Sequence, residues 1–274
     1  ALPLGDFYLG IGHIKYYKWH IFYKHFFYLL DKECNVIAYT KNLFCLGKKD
    51  CVIQFAVGLI FDKDQVLVSY GETDCYSKLI YYKFSDIFKN MIPINKSSCN
   101  LKIGIDRPQF CILGFFNLLL TVSYILKEAN IIYWIDYGTL LGAVRGNYII
   151  RYTNDVDLSI LDRDKNKAIK VLKSLENYVR ISKRKDRNHT WIYCVSGISD
   201  NISLDIALRV KNNNKLYDGS VKDGTNPVNV KDIFPLSELN IYGFKFPAPR
   251  NPKNVLKIYY GEDFLKEDRF KHAD

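Results

Sequence analysis

Across residues 202–209 the chain alternates between two faces, Ile202, Leu204, Ile206 and Leu208 against Ser203, Asp205, Ala207 and Arg209, the second polar but for Ala207. A period of two is the pattern of a β-strand with two different faces. The same alternation runs through residues 155–160, where Val156, Leu158 and Ile160 point to a packed side and Asp155 and Asp157 to the other. Same-face neighbours on a strand stand about 7 Å apart, so these two carboxylates form a pair. Residues 110–126 are apolar, broken only by Asn117, Thr121 and Ser123. A membrane span needs about twenty apolar residues, and Lys127-Glu128 follow at once. The run therefore predicts a helix buried under a sheet and no transmembrane segment.

Around these anchors the pattern predicts a strand over 131–135, then a turn glycine and short helix over 138–145. A helix over 165–179 follows from the spacing of Ala168, Ile169, Val171, Leu172 and Leu175. A strand is expected over 191–195, a polar loop over 211–229, a hairpin over 241–246 and a closing helix over 251–260. The first ninety residues read as strands, with β-branched or aromatic runs at 36–40, 52–61, 65–70 and 78–84. Those four predict one propeller-like blade or a small meander, and the polar stretch 91–108 a linker. The expected organisation is α+β: an all-β segment over 1–94, then a second domain over 95–274.

Composition narrows the partners. The chain has 274 residues, 48% of them hydrophobic and 15% aromatic, enough for a sizeable core. It opens at Ala1, already inside strand-like sequence, which reads as a piece of a longer protein. A net charge of +10 invites nucleic acid. The basic residues are scattered outside the run at 183–187, however, and no nucleic-acid motif accompanies them. An anionic, nucleotide-linked substrate accounts for the charge as well, so nucleic acid is not the expected partner. Seven cysteines, at 34, 45, 51, 75, 99, 111 and 194, include no C-x-x-C pair. That argues against zinc and favours small buried hydrophobes with at least one free thiol.

Asp155, Asp157 and Asp205 are the candidate chemistry: a carboxylate pair on one strand and a third carboxylate on another. Two like charges at 4 Å repel by about 4 kcal/mol at an effective dielectric near 20. A divalent cation relieves that, and Mg²⁺, with Mn²⁺ as the alternative, suits a few carboxylates plus phosphate oxygens. Gly138 and Thr139, at a strand-to-helix turn, are placed to bring backbone N–H groups and a hydroxyl to a phosphate. Arg145 offers a planar fork for another phosphate.

The run Tyr133-Trp134-Ile135-Asp136-Tyr137-Gly138-Thr139-Leu140-Leu141-Gly142-Ala143-Val144-Arg145, followed by Asp155-Val156-Asp157, resembles the LicD/fukutin-related family. Leu204-Asp205-Ile206, Ile233-Phe234-Pro235-Leu236, and Asn251-Pro252 leading to Tyr260-Gly261-Glu262-Asp263 extend the likeness over residues 105–266. The resemblance implies a nucleotidyltransferase-like mixed sheet with flanking helices, and Mg²⁺ held by Asp155, Asp157 and Asp205. Asp136, Gly138, Thr139 and Arg145 would then meet the substrate or nucleotide. The implied reaction moves a phospho-alcohol, such as phosphocholine or ribitol phosphate, from a CDP-linked donor to a glycan acceptor with release of CMP. Family members commonly carry Pro-Trp-Asp-Asp-Asp where this chain has Arg151-Tyr152-Thr153-Asn154-Asp155, and a histidine where it has Gly146. The two metal-bearing positions are kept, with less negative charge around them.

More weakly, Gly10 to Lys15, Gln54 to Leu59 and Ser69 to Asp74 resemble the end of a β-propeller glycoside phosphorylase or glycosyltransferase-like protein. That likeness implies a sugar site with His13 and Asp74. Two other functions fit the sequence: nucleotide transfer from an NTP, and a non-catalytic carbohydrate-binding module.

Overall fold

A computed structural model describes residues 1–4, 7–17, 21–47, 51–62, 65–94, 99, 101, 104–175, 179–186, 189–196, 201–219 and 227–267. The chain divides into two compact units, Ala1–Ser97 and Ser98–Asp274, where the expected domain boundary was 94/95.

The first unit is built from strands β1 (Leu2–Leu4), β2 (Phe7–Tyr17), β3 (Ile21–Leu30), β4 (Val36–Thr40), β5 (Gln54–Asp62), β6 (Gln65–Glu72), β7 (Tyr76–Lys83), helix α1 (Phe84–Lys89) and β8 (Met91–Pro93). They form two antiparallel sheets, β1-β2-β3-β4-β8 and β5-β6-β7. The four strands expected to share one blade or one small meander are thus divided: 36–40 belongs to the five-stranded sheet and the other three form a separate meander. The start of the expected linker, Met91–Pro93, pairs with β4. In the meander, Val66, Val68 and Tyr70 of the central strand are buried, while Leu79 and Tyr81 of β7 are exposed, a one-sided alternation typical of antiparallel sheets.

The second unit runs α2 (Gln109–Glu128), β9 (Tyr133–Ile135), α3 (Tyr137–Gly146), β10 (Val156–Leu161), α4 (Lys165–Leu172), β11 (Val179–Asp186), β12 (His189–Ser196), β13 (Ser203–Asn212), β14 (Lys215–Asp218), β15 (Val228–Asn229), α5 (Val230–Ile233), β16 (Ser237–Ile241), β17 (Phe244–Ala248) and α6 (Pro252–Tyr260). The main sheet is mixed, in the order β11-β12-β13-β10-β9, with β14 and β15 added beyond β13. Among the described residues, only β10 and β13 pair in parallel. By length and composition α2 is long and apolar enough to cross a membrane. It lies instead on β9, β10 and β13, burying Cys111, Phe115, Phe116, Leu119, Val122 and Leu126. That explains its apolar surface all round.

Three expectations change. The loop expected over 211–229 contains the end of β13, all of β14 and all of β15; residues 220–226 lie outside the described set. The helix expected over 165–179 stops at Leu172, followed by a 3₁₀ turn over Lys173–Leu175, and Val179 opens β11, whose β-branched start suits a strand. The cysteines are not simply buried hydrophobes. Cys45 is bonded to Cys51 and Cys99 to Cys111, Cys34 and Cys75 are exposed thiols, and Cys194 alone is a buried one.

Candidate active site

The parallel pairing of β10 with β13 sets Asp157 directly opposite Asp205. Adjacent strands lie about 4.8 Å apart and in-register residues share a face, so the two carboxylates stand side by side. Both are buried. Asp155 precedes β10 and is half-buried, and its carbonyl accepts a hydrogen bond from Thr153 Oγ1 at 2.9 Å. Burial, then the charges of Asp155, Asp205 and Asp136, pushes the Asp157 carboxyl well above the usual carboxylate range, while a backbone hydrogen bond from Thr139 works the other way.

The start of α3 is fixed onto this pair. Thr139 Oγ1 accepts from the Asp157 backbone N–H at 2.7 Å, and the Asp136 N–H donates to the Asp157 carbonyl at 3.2 Å. Thr139 therefore holds Asp157 in place through its hydroxyl. Gly138 lines the space in front: a Cβ there would stand 3.4 Å from Asp157 Oδ2 and 4.0 Å from Thr153 Oγ1. The structure thus gathers Asp155, Asp157, Asp205, Gly138 and Thr139 at one end of α3.

Asp136 and Arg145 are directed elsewhere. Asp136, expected at the substrate, is fully buried and paired with Arg209 at 2.6 Å. It also accepts from Ser159 Oγ at 2.6 Å and from the Tyr137 N–H at 3.1 Å as the cap of α3. Both oxygens are engaged, which makes it a structural carboxylate. Arg145, expected to hold a phosphate, directs its fork to the Phe264 carbonyl at 3.0 and 2.6 Å, the Lys266 carbonyl at 2.6 Å and the Tyr152 hydroxyl at 3.4 Å. It secures the segment that follows α6.

Sequence reasoning missed the groups that organise this end of the sheet. Arg209 lies on the same strand face as Asp205, two alternations on. Its guanidinium contacts Ser159 at 3.1 Å and the Tyr259 hydroxyl at 2.8 Å, and lies 4.9 Å from the centre of the Tyr137 ring. Tyr137 and Tyr259 stack at 4.8 Å, and the Tyr137 hydroxyl donates to Asp218. Tyr137 has φ +43°, a conformation that costs a non-glycine residue about 1–3 kcal/mol; the stack and the hydrogen bond hold it there. Burial, then the charges of Asp157, Asp136 and Asp155, raises the Tyr260 phenol, keeping a neutral hydroxyl beside the carboxylates. The only available signal was the alternation that put Arg209 on the face of Asp205. His13 and Asp74, the expected sugar-site residues, lie on β2 and in the turn after β6, in different sheets.

Residues 130–251 match the family described as LicD/FKTN/FKRP, nucleotidyltransferase domain. This stretch contains every acidic residue of the cluster, together with Gly138, Thr139 and Arg145. An uncharacterised protein of Rickettsia typhi is 23% identical over 244 residues, covering 84% of this chain and 72% of its own length. Ribitol 5-phosphate transferase FKRP of Homo sapiens is 25% identical over 173 residues, 60% of this chain. The alignment spans 34% of FKRP, about a third of that protein. Among solved structures, the lincosamide antibiotic adenylyltransferase LnuA with lincomycin bound is similar at 17% identity and a TM-score of 0.41, over 61% of this chain and 96% of its own.

Proposed function

We propose that this chain carries a Mg²⁺-dependent phosphotransferase that moves a phospho-alcohol, of the phosphocholine or ribitol-phosphate type, from a CDP-linked donor to a glycan and releases CMP. The observation that carries this reading is the in-register pair Asp157–Asp205, buried at the start of α3 inside the stretch matched by the LicD/FKTN/FKRP domain. The ribitol 5-phosphate transferase relative supports the phospho-alcohol class.

The residues fit a hard divalent cation. The donors are carboxylate oxygens, their mutual repulsion calls for positive charge, and Gly138 leaves room beside Asp157 Oδ2. Among the described residues, no group of three His, Cys, Asp or Glu could hold a metal by itself. Mg²⁺ needs only one or two protein carboxylates when substrate phosphates supply the remaining oxygens. Asp157 and Asp205 would hold the ion, with Asp155 adding its charge alongside. Bound there, the cation neutralises charge on the diphosphate and on the departing CMP.

The chain's own groups do the rest. The backbone at the start of α3, opened by Gly138, takes a phosphate oxygen. An acceptor hydroxyl attacks the phosphorus that carries the alcohol. The new O–P bond forms as the bond to the bridging oxygen breaks, and CMP leaves with that electron pair. The hydroxyl proton passes to a carboxylate of the cluster.

The test is incubation with a panel of CDP-alcohols and Mg²⁺, following CMP release. D157N and D205N are each expected to lower turnover about 100–1000-fold, the scale of losing one electrostatic contact to a transition state. Turnover that survives loss of both Asp155 and Asp157 would overturn the proposal. The matched domain's description as a nucleotidyltransferase favours one second reading, transfer from an NTP, which pyrophosphate release in the same assay would reveal.

A further inference from the structure

Arg107 lies just ahead of α2, in the stretch that reads as a linker, and is only 7% exposed. It belongs to no obvious motif, yet all three of its nitrogens donate. Nε donates to the Thr153 carbonyl, Nη1 to the Cys99 carbonyl, and Nη2 to Asn154 Oδ1 and, at 3.3 Å, to the Leu101 carbonyl. Its own backbone N–H donates to the Arg151 carbonyl at 2.9 Å. Side chain and backbone of one residue thus hold Arg151, Thr153 and Asn154, in the segment that delivers the chain to Asp155. The grip reaches the carboxylate cluster by one short route. Thr153, held through its carbonyl, donates from Oγ1 to the Asp155 carbonyl at 2.9 Å. Its hydroxyl also faces the space at Gly138 that Asp157 Oδ2 lines.

The opposite side of the grip is braced as well. Cys99, whose carbonyl takes Nη1, is bonded to Cys111 in the first turn of α2. Acceptors at all three nitrogens suit a guanidinium, which presents five donors in a fixed fork. A lysine, with three donors on one compact, strongly hydrated charge, does not reproduce that pattern. The Asp155 charge also acts on Arg107, opposing the effect of burial.

We propose that Arg107 is a positioning residue, fixing the 151–155 segment so that Asp155 stands beside Asp157 and Asp205 for a divalent cation. The proposal rests on the phosphotransferase reading given above. Groups that orient metal-binding residues from behind typically change metal affinity or activity about 10–100-fold when removed.

The test is Mn²⁺ binding to the full chain without donor, followed by paramagnetic resonance of the free ion. R107M is expected to weaken binding about 10–100-fold, and R107K, which keeps the charge and loses the fork, to recover less than half of that loss on a logarithmic scale. N154A removes one exposed acceptor and leaves the core untouched, so it keeps the test valid if R107M fails to fold; a few-fold weakening is expected. CMP release should then need correspondingly more Mg²⁺ in these variants, and saturating Mg²⁺ should restore most of the rate. Parental Mn²⁺ affinity in the folded Arg107 variants, or in N154A, would overturn the proposal. D157N separates the two claims. If it too binds Mn²⁺ like the parent, the carboxylate reading itself fails; if it loses Mn²⁺ while the Arg107 and Asn154 variants do not, only the positioning role fails.

Discussion

His25 in the first unit and Asp157 in the second are both buried titratable side chains on strands, and the protein opposes the charged form of each. Their surroundings differ. His25 pairs across β2 and β3 with His13, ring centres 6.0 Å apart, and lies 6.2 Å from Phe44. Its backbone bonds both go to Phe44, so the pair with His13 is the non-hydrogen-bonded kind, in which side chains stand closest. Among the described residues neither of its ring nitrogens has a hydrogen-bond partner. Burial first, and His13 second, pushes its pKa down to about 4. A neutral imidazole among rings is at rest at pH 7. Asp157 is set among other carboxylates and gains no such rest from burial. Burial of a titratable group does not by itself mark chemistry; three further carboxylates around one buried carboxyl do.

A third cluster sharpens the contrast within the second unit. Asp136 is as buried as Asp157, yet Arg209, Ser159 and the α3 backbone neutralise it. The largest expected effect comes from breaking that balance. R209M should cost about 3–5 kcal/mol, the usual result of leaving one partner of a buried ion pair alone, measured by urea denaturation. Adding D136N to R209M should recover much of the loss. A single-variant cost under about 1 kcal/mol would mean that the Arg209 charge is not what neutralises Asp136 in the fold.

Next in size is a pair of glycine substitutions. At Gly142 in α3 an added Cβ would meet the Tyr148 carbonyl at 2.4 Å, a backbone atom that can yield only if the helix moves. At Gly114 in α2 the nearest atom is the end of the Ile202 side chain, at 2.3 Å, which can rotate away. G142A should therefore cost about 1–3 kcal/mol and lower CMP release along with stability, since α3 carries both the Asp136 cap and Thr139. G114A should cost less and leave turnover near that of the parent. Equal losses in the two would show that α3 has no special place in organising the clusters.

The parts legible in the sequence are those where one strand or helix declares its own environment. Alternation over 155–160 and 202–209 identified the carboxylate strands, and the apolar run over 110–126 gave the buried helix. Alternation tells which way a side chain faces but not whom it meets. Arg209 meets Asp136 from 73 residues away, Arg107 meets Asn154 across 47, and Arg145 meets Phe264 across 119. Each partner is set by the order of strands and the path of loops, which local pattern does not encode. The same limit explains why four strand-like runs in the first unit predict one blade or one small meander: each strand is visible, but the division between sheets is not.

The smallest effects are pH dependences, and they return to His25 and Asp157 with opposite signs. The folded state holds His25 below its ordinary value of 6.5, at about 4. Its contribution is present above 6.5 and is lost as pH falls through 4, because only the unfolded chain accepts the proton readily. The folded state holds Asp157 above its ordinary 3.8. Without a cation, its contribution is full below that value and is lost as pH rises through the raised one. H25F should therefore flatten the acid side of the melting-temperature profile between pH 6.5 and 4. D157N should raise the melting temperature of the metal-free chain at neutral pH, with the difference closing towards pH 3.8. Mg²⁺ should stabilise the parent and not D157N, since an ion that binds only the folded state raises stability by mass action. If metal-free D157N melts below the parent at pH 7, the Asp157 carboxylate is stabilised in the fold without help, and its likeness to Asp136 would outweigh the difference drawn between them.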